Sequence, residues 1–399
     1  MTDPVLIVGA AMGGLRAAES LRKAGYAGPL ELLGEERHRP YNRPPLSKEA
    51  LEAGPAHEAV AFPDRAEMTD AVWRLGAPAA SLDVAARTVT TADGTVHPWR
   101  ALVIATGLRP RRLPFPPLAG RHVVRTLDDA LALRAELVPG ARVVIVGSGF
   151  LGCELASTST KLGASVTIVT PSAEPMIRPL GALVGAELRR RLEVSGVSFE
   201  LGASVAGFEG SERVTGVVLG DGRVVPADVV IEAVGSTCST EWLAGSGLDV
   251  SDGVLADNAL RAVTTDGAAL DDVYVVGDVA RFPNPMFDDA PRRIEHWNIP
   301  TDTGRRVGAV LAARLAGTGY EEAVATPFAP MPSFWSNQFE MKLQAYGLPE
   351  LGADDVRILE GELAGEVAVG YHRAGRLVGV VGIGLKAALL PYRAQIASP

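Results

Sequence analysis

Val5-Leu6-Ile7-Val8-Gly9-Ala10-Ala11-Met12-Gly13-Gly14 is matched further along the chain by Val143-Val144-Ile145-Val146-Gly147-Ser148-Gly149-Phe150-Leu151-Gly152. Each copy is an apolar run rich in β-branched residues, then a glycine turn, then a helical pattern that ends at a glycine, Gly25 or Gly163. A second strand-like run follows in both, Leu30–Leu33 and Val166–Val169. Two β–α–β units in one chain predict two nucleotide-binding domains.

The glycine spacing carries the chemistry. Gly9-x-Ala11-x-x-Gly14, with Gly13 inside it, places bare backbone N–H groups at a helix N-terminus, where amides and helix dipole both favour a pyrophosphate. Ala11 stands where the fingerprint prefers glycine. Glu35 lies 21 residues beyond Gly14, the place for a carboxylate that binds an adenosine ribose. The second copy, Gly147-x-Gly149-x-x-Gly152 with Leu151 inside it, is a full match, and Glu154 follows on what reads as the first helical turn. There it either faces a bound cofactor or merely complements the helix dipole. Thr170, 18 residues past Gly152, occupies the second ribose position. A carboxylate there would bind a free 2′-OH and repel a 2′-phosphate; threonine does neither strongly, which leaves NADH and NADPH both open. Arg178 either reaches a phosphate or is simply solvated.

Further strand-like runs complete the sheets: Ala101–Ala105 into Thr106-Gly107, Val229–Ala233 into Val234-Gly235, and Val273–Val276 into Gly277-Asp278. Thr106-Gly107 and Gly277-Asp278 return to the first domain and assign FAD to it, with Asp278 placed to take a ribityl hydroxyl. A helix is expected from Pro300 to Gly317. Beyond Tyr320 the pattern changes to short strands (Lys342–Tyr346, Val367–Tyr371, Leu377–Ile383) with Pro-rich joins. The expected fold is α/β: two Rossmann-like FAD/NAD(P)-binding domains, glutathione-reductase-like, plus a C-terminal α+β domain. The expected boundaries are 1–110 with 238–320 for FAD, 111–237 for NAD(P)H, and 321–399 for the C-terminal domain.

Composition narrows the function. The chain has 399 residues and a formal net charge of −9, which makes nucleic acid a poor partner. Its two cysteines, Cys153 and Cys238, form no C-x-x-C pair, which argues against a disulfide scaffold, a metal site or a dithiol redox centre. No apolar stretch has bilayer-spanning length and no signal peptide is evident, so a cytoplasmic protein is expected.

Six segments in order give the chain a specific resemblance: Arg43-Pro44-Pro45-Leu46-Ser47-Lys48, Ala105-Thr106-Gly107-x-x-Pro110-Arg111, Arg125-Thr126-Leu127-x-Asp129-Ala130, Val276-Gly277-Asp278-Val279-Ala280, Glu295-His296-Trp297 and Phe334-Trp335-Ser336-Asn337-Gln338. Over essentially its whole length the chain resembles the FAD-dependent NAD(P)H:ferredoxin reductases of bacterial oxygenase systems. The resemblance implies FAD contacts at Gly13, Glu35, Lys48, Ala79, Arg125, Asp278, Glu295, His296 and Trp297, and a dinucleotide close to Gly235. It also implies that Lys48 and Glu154 face each other beside the flavin, with Glu154 reaching the nicotinamide amide, and that Trp335 lies where electrons leave. The implied acceptor is an acidic [2Fe-2S] ferredoxin, docking at Arg305 and Arg306, with Arg292, Arg293, Arg373 and Arg376 as possible extensions of the patch. Thr170 replaces the family's usual acid, Thr303 and Pro300 depart from the usual residues, and no cysteine pair stands at Asn42–Pro45. Two rival readings are an NAD(P)H oxidase or diaphorase, and a low-turnover flavin-binding redox sensor.

Overall fold

The computed structural model describes residues 3–398, which gather into two compact units. Unit 1 comprises Met1–Asn42, Ala61–Arg109 and Cys238–Pro332; unit 2 comprises Arg43–Val60, Pro110–Thr237 and Ser333–Pro399. The segment Arg43–Val60 thus goes with unit 2, although it lies within the stretch read as the FAD domain. Residues 333–383 build a sheet of their own and also cluster with unit 2.

In unit 1 the six-stranded sheet runs in the order Arg261–Val263, Ala269–Val275, Ala101–Ile104, Val5–Val8, Leu30–Gly34, Val72–Leu75. All but the first of these are parallel. A parallel sheet needs cover on both faces, which is why Val5–Val8 is apolar at every position and fully buried. One cover is the helix Met12–Lys23, packed against the helix Ile299–Ala316. Gly304 and Gly308, one turn apart, let these helices touch. A Cβ on Gly308 would stand 2.4 Å from Ser20 Cβ, and one on Gly304 2.9 Å from the Ala17 amide nitrogen. The second helix stops at Gly317, whose φ of 70° suits a glycine cap.

In unit 2 a five-stranded parallel sheet has the order Ser198–Leu201, Ser165–Thr170, Arg142–Val146, Val229–Glu232, Arg121–His122. Arg121 and Glu232 form a buried ion pair at 2.9 Å, and Arg121 also donates to the carbonyls of Phe115 and Leu113. That pairing meets the cost of burying both charges and pins the segment leading into the sheet. The C-terminal sheet is antiparallel, in the order Ser333–Gln338, Met341–Gly347, Arg376–Ile383, Val367–Arg373, Val356–Gly361. The Tyr371 hydroxyl ties it to the rest of unit 2 by donating to the Leu180 carbonyl at 2.8 Å. Among the described residues no helix is long and apolar enough to cross a membrane, and no cluster of His, Cys, Asp or Glu suits a metal ion.

Candidate functional site

Each unit carries a glycine turn that its own backbone demands. In unit 1, Gly9 has φ 115°, and a Cβ there would meet the Ala105 carbonyl oxygen at 2.1 Å. Gly14 admits no side chain either, since its Cβ would lie 2.0 Å from the Gly9 oxygen. A Cβ on Gly13 would stand 3.0 Å from Val276 Cγ1 and 4.0 Å from Gly277 Cα, so the bare glycine lets the fingerprint lie close to Gly277-Asp278. Ala11 precedes the helix in an extended conformation and offers no side-chain cap, so the first helical N–H groups are left for a ligand. Glu35 follows the strand Leu30–Gly34 directly and is exposed.

Other expected residues of unit 1 have visible local duties. The Thr106 hydroxyl donates to the Ser239 carbonyl at 2.7 Å, and the Gly107 carbonyl accepts from the Ser239 amide. Gly277 takes φ 78°, and its amide donates to Thr303 Oγ1 at 3.0 Å. Thr303, noticed in the sequence only as a departure, therefore holds the turn that presents the half-buried Asp278. Ala79 opens a strand, Ala79–Asp83. Glu295 is paired with Arg293 at 2.6 Å. Burial pushes the pKa of His296 down to about 4, so the ring is neutral at ordinary pH. The Trp297 indole N–H donates to Asn42 Oδ1 at 3.2 Å, and the residue is 39% exposed.

In unit 2 the cradle repeats. A Cβ on Gly147 would meet the Ala233 oxygen at 2.2 Å, and one on Gly152 the Gly147 oxygen, also at 2.2 Å. Gly149 differs: with φ −75° and nothing within 4 Å of its missing Cβ, no protein contact calls for glycine there. The bare backbone there leaves room for a pyrophosphate. Gly235, also in open space, has φ 94°. Both cradles therefore fit a dinucleotide.

Glu154 is the fifth residue of the helix Phe150–Lys161, which corrects its expected place on the first turn and weakens the alternative of a carboxylate that merely complements the helix dipole. It is 6% exposed and receives three donors. Its Oε2 accepts from Lys48 Nζ at 2.5 Å and from Ser47 Oγ at 2.8 Å; its Oε1 accepts from Ser336 Oγ at 2.8 Å. Lys48 also donates to the Pro44 carbonyl at 3.1 Å, and the Thr158 hydroxyl to the Ser47 carbonyl at 2.7 Å. The turn Pro44–Ser47 is thereby bound onto the fingerprint helix. The pairing of Lys48 with Glu154 matches the sequence expectation; Ser47, Ser336, Gln338 and Thr158 went unforeseen as site residues, though three of them stand inside the quoted motifs.

Trp335, half-buried on the strand Ser333–Gln338, alternates away from Ser336 and so points off the face that meets Glu154. Arg125 lies in unit 2, where its carbonyl accepts from Arg43 and its amide donates to Asp129. The motif around it is a capping box, with Thr126 and Asp129 exchanging hydrogen bonds. Thr170 is buried, and its hydroxyl oxygen accepts from Ser148 Oγ at 3.0 Å and from the Ser172 amide at 3.3 Å.

The two docking arginines differ. Arg305 is 70% exposed, with Asp302 3.9 Å away. Arg306 donates to the Thr326 carbonyl at 2.7 Å and lies over the Phe328 ring, so its guanidinium serves the fold. Both cysteines are free; burial pushes the Cys153 thiol pKa well up, and neighbouring Glu154 adds to the shift.

Comparison with known proteins accords with this geometry. Residues 3–304 match the family described as pyridine nucleotide-disulphide oxidoreductase, and residues 333–398 match the reductase C-terminal family. The ferredoxin–NAD(+) reductase component of the anthranilate 1,2-dioxygenase system of Burkholderia cepacia is 34% identical over 420 aligned residues, which cover 100% of this chain and 97% of that protein. Putidaredoxin reductase in its covalent complex with putidaredoxin superposes with a TM-score of 0.89 at 29% identity, covering 99% of this chain and 93% of that one. The ferredoxin reductase of the CYP199A2 system from Rhodopseudomonas palustris gives 0.86 at 33%, covering 96% and 91%. With two glycine cradles, a C-terminal reductase sheet and relatives of this kind over nearly its full length, the chain belongs to the pyridine nucleotide-disulphide oxidoreductase family, among its FAD-containing ferredoxin reductases.

Proposed function

We propose that this chain moves electrons from a reduced nicotinamide dinucleotide through FAD to a [2Fe-2S] ferredoxin that feeds a cytochrome P450 or dioxygenase. The observation that carries the reading is the pair of glycine cradles, one per unit, the second with a buried carboxylate, Glu154, on its own helix. FAD, when bound, supplies the chemistry that no side chain can, accepting two electrons together and releasing them singly.

The protein's share is position and charge. Gly9, Ala11, Gly13 and Gly14 would offer backbone amides to the pyrophosphate of FAD, and Glu35 and Asp278 would hold its sugar hydroxyls. Gly147, Gly149 and Gly152 do the same for the nicotinamide dinucleotide. Glu154 accepts from the nicotinamide carboxamide and fixes the ring that gives up hydride, with Lys48 balancing its charge; holding the donor in one pose supplies much of the acceleration. The absence of a cysteine pair at Asn42–Pro45 supports direct exit to a one-electron carrier.

Anaerobic rapid mixing tests this. NADH and NADPH are mixed in parallel with the flavoprotein, and the reduced protein is then mixed with a [2Fe-2S] ferredoxin. The expected result is bleaching of the flavin, then reduction of two ferredoxins per dinucleotide consumed. Oxygen uptake equally fast without ferredoxin would favour the oxidase reading; bleaching that no acceptor discharges would favour the sensor.

A further inference from the structure

The strand Ser333–Gln338, with Phe339 directly after it, meets the helix Phe150–Lys161 at three points in register. The Phe334 ring lies 4.9 Å from that of Phe150, Ser336 donates to Glu154, and the Phe339 amide donates to Ser157 Oγ at 2.6 Å. Phe150, Glu154 and Ser157 are spaced i, i+4, i+7 and share one helix face. Two strand residues advance about 6.6 Å and four helical residues about 6 Å, so Phe334 with Phe150 and Ser336 with Glu154 fall in step.

The middle contact has a fixed direction. A serine hydroxyl carries one proton and two lone pairs. Gln338 Nε2, which can only donate, reaches Ser336 Oγ at 3.0 Å. Ser336 therefore spends its proton on Glu154 Oε1. In this orientation Gln338 Nε2 also reaches Met176 Sδ at 3.9 Å and Gln338 Oε1 finds no partner; with the amide turned over, the single Ser336 proton would face two acceptors, Gln338 and Glu154, in a region where Ser336 is 0% and Gln338 1% exposed. Lys48 and Ser47 both occupy Oε2, so the oxygen left with room for a further donor is Oε1, the one Ser336 holds.

We propose that Ser336, oriented by Gln338, is a positioning residue for Glu154, through which the C-terminal sheet sets the carboxylate that receives the nicotinamide carboxamide. This rests on the reading of Glu154 given above. The test compares NADH with reduced 3-acetylpyridine adenine dinucleotide, whose methyl ketone has no N–H to offer Glu154. Flavin reduction is followed at several dinucleotide concentrations to separate affinity from limiting rate. Ser336→Ala is expected to lower efficiency with NADH roughly tenfold, the loss typical of a hydrogen bond to a charged group. Ser336→Thr should recover most of it, and with the acetylpyridine analogue the alanine penalty should nearly vanish. Adding Ser336→Ala to Glu154→Gln should cost nothing beyond Glu154→Gln alone. Gln338→Leu, which removes the orienting donor without touching Glu154, should show a smaller loss with the same preference, and it carries the test if Ser336→Ala folds poorly. Equal penalties for both dinucleotides, or losses that multiply in the double variant, would overturn the role of Ser336 while leaving Glu154 intact. A Glu154→Gln variant that treats both dinucleotides as the parent does would sink the reading of Glu154, and this inference with it.

Discussion

Single side chains decide which dinucleotide this enzyme accepts. Thr170, at the proposed second ribose position, is buried, and its oxygen is occupied by Ser148 and the Ser172 amide. The nearest following acid, Glu174, is committed to Arg189 through two hydrogen bonds, at 2.8 and 3.3 Å. Neither residue is disposed to grip a 2′-OH or to repel a 2′-phosphate. The parent should therefore use NADH and NADPH with efficiencies within roughly tenfold, and Thr170→Asp should swing the ratio toward NADH by about tenfold or more. Steady-state kinetics with both donors checks this, and an unchanged ratio in the variant would refute it. His296 yields a pH prediction. Its pKa lies near 4 in the folded chain against 6.5 as a free side chain. Between those values the unfolded chain binds the extra proton, so stability falls as pH drops from about 6.5 toward 4 and levels off below. The whole effect is at most about 3 kcal/mol. Urea unfolding of the parent and His296→Gln at a series of pH values should show the parent losing stability relative to the variant as pH falls from about 6.5 to about 4, with a constant difference above 6.5.

At the scale of elements, the two helices of unit 1 depend on glycines where helix propensity alone would choose alanine. Gly308→Ala gains about 1 kcal/mol of propensity. It also drives a Cβ to within 2.4 Å of Ser20 Cβ and 2.7 Å of the Leu21 amide nitrogen, and overpacking of that kind costs about 1–3 kcal/mol. The net should be a lower melting temperature for the holoprotein; a rise would show that the helices can part freely. This pair also shows where sequence reading stopped. The repeat at Val5 and Val143 was legible because continuous apolar runs ending in glycine leave few alternatives, and the helix expected from Pro300 to Gly317 forms as Ile299–Ala316. The strand Ser333–Gln338 was missed as a strand because its buried face carries Ser336 and Gln338, polar residues that no hydrophobic alternation reports. Val356–Gly361 escaped notice as an edge strand whose side chains are largely exposed. The partners of Glu154 were hidden for a related reason: Ser47 and Ser336 lie 107 and 182 residues from it, and only the folded chain brings them to one carboxylate.

Across the whole molecule, charge poses a problem that local cations must solve. If the proposed acceptor is an acidic ferredoxin, a formal net charge of −9 would repel it at long range, and productive encounter would require a positive patch stronger nearby than the distant background. Four of the six arginines that the resemblance suggested for it are engaged within the fold: Arg292 with Asp288, Arg293 with Asp252 and Glu295, Arg306 with the Thr326 carbonyl and Arg376 with the Ile396 carbonyl. Arg305 is mostly exposed and only loosely approached by Asp302, which makes it the cation best placed to meet a partner. Replacing Arg305 with glutamate should cut the ferredoxin efficiency roughly tenfold at low ionic strength, while the rate of flavin reduction by NADH stays as in the parent. The deficit should shrink as salt is raised, because at about 0.15 M the Debye length is only about 8 Å and both proteins then approach unsteered. Arg306→Met should behave differently, lowering thermal stability through the loss of its carbonyl and Phe328 contacts. Ferredoxin turnover that is indifferent to the sign of charge at Arg305 at every ionic strength would move the docking surface elsewhere on the molecule.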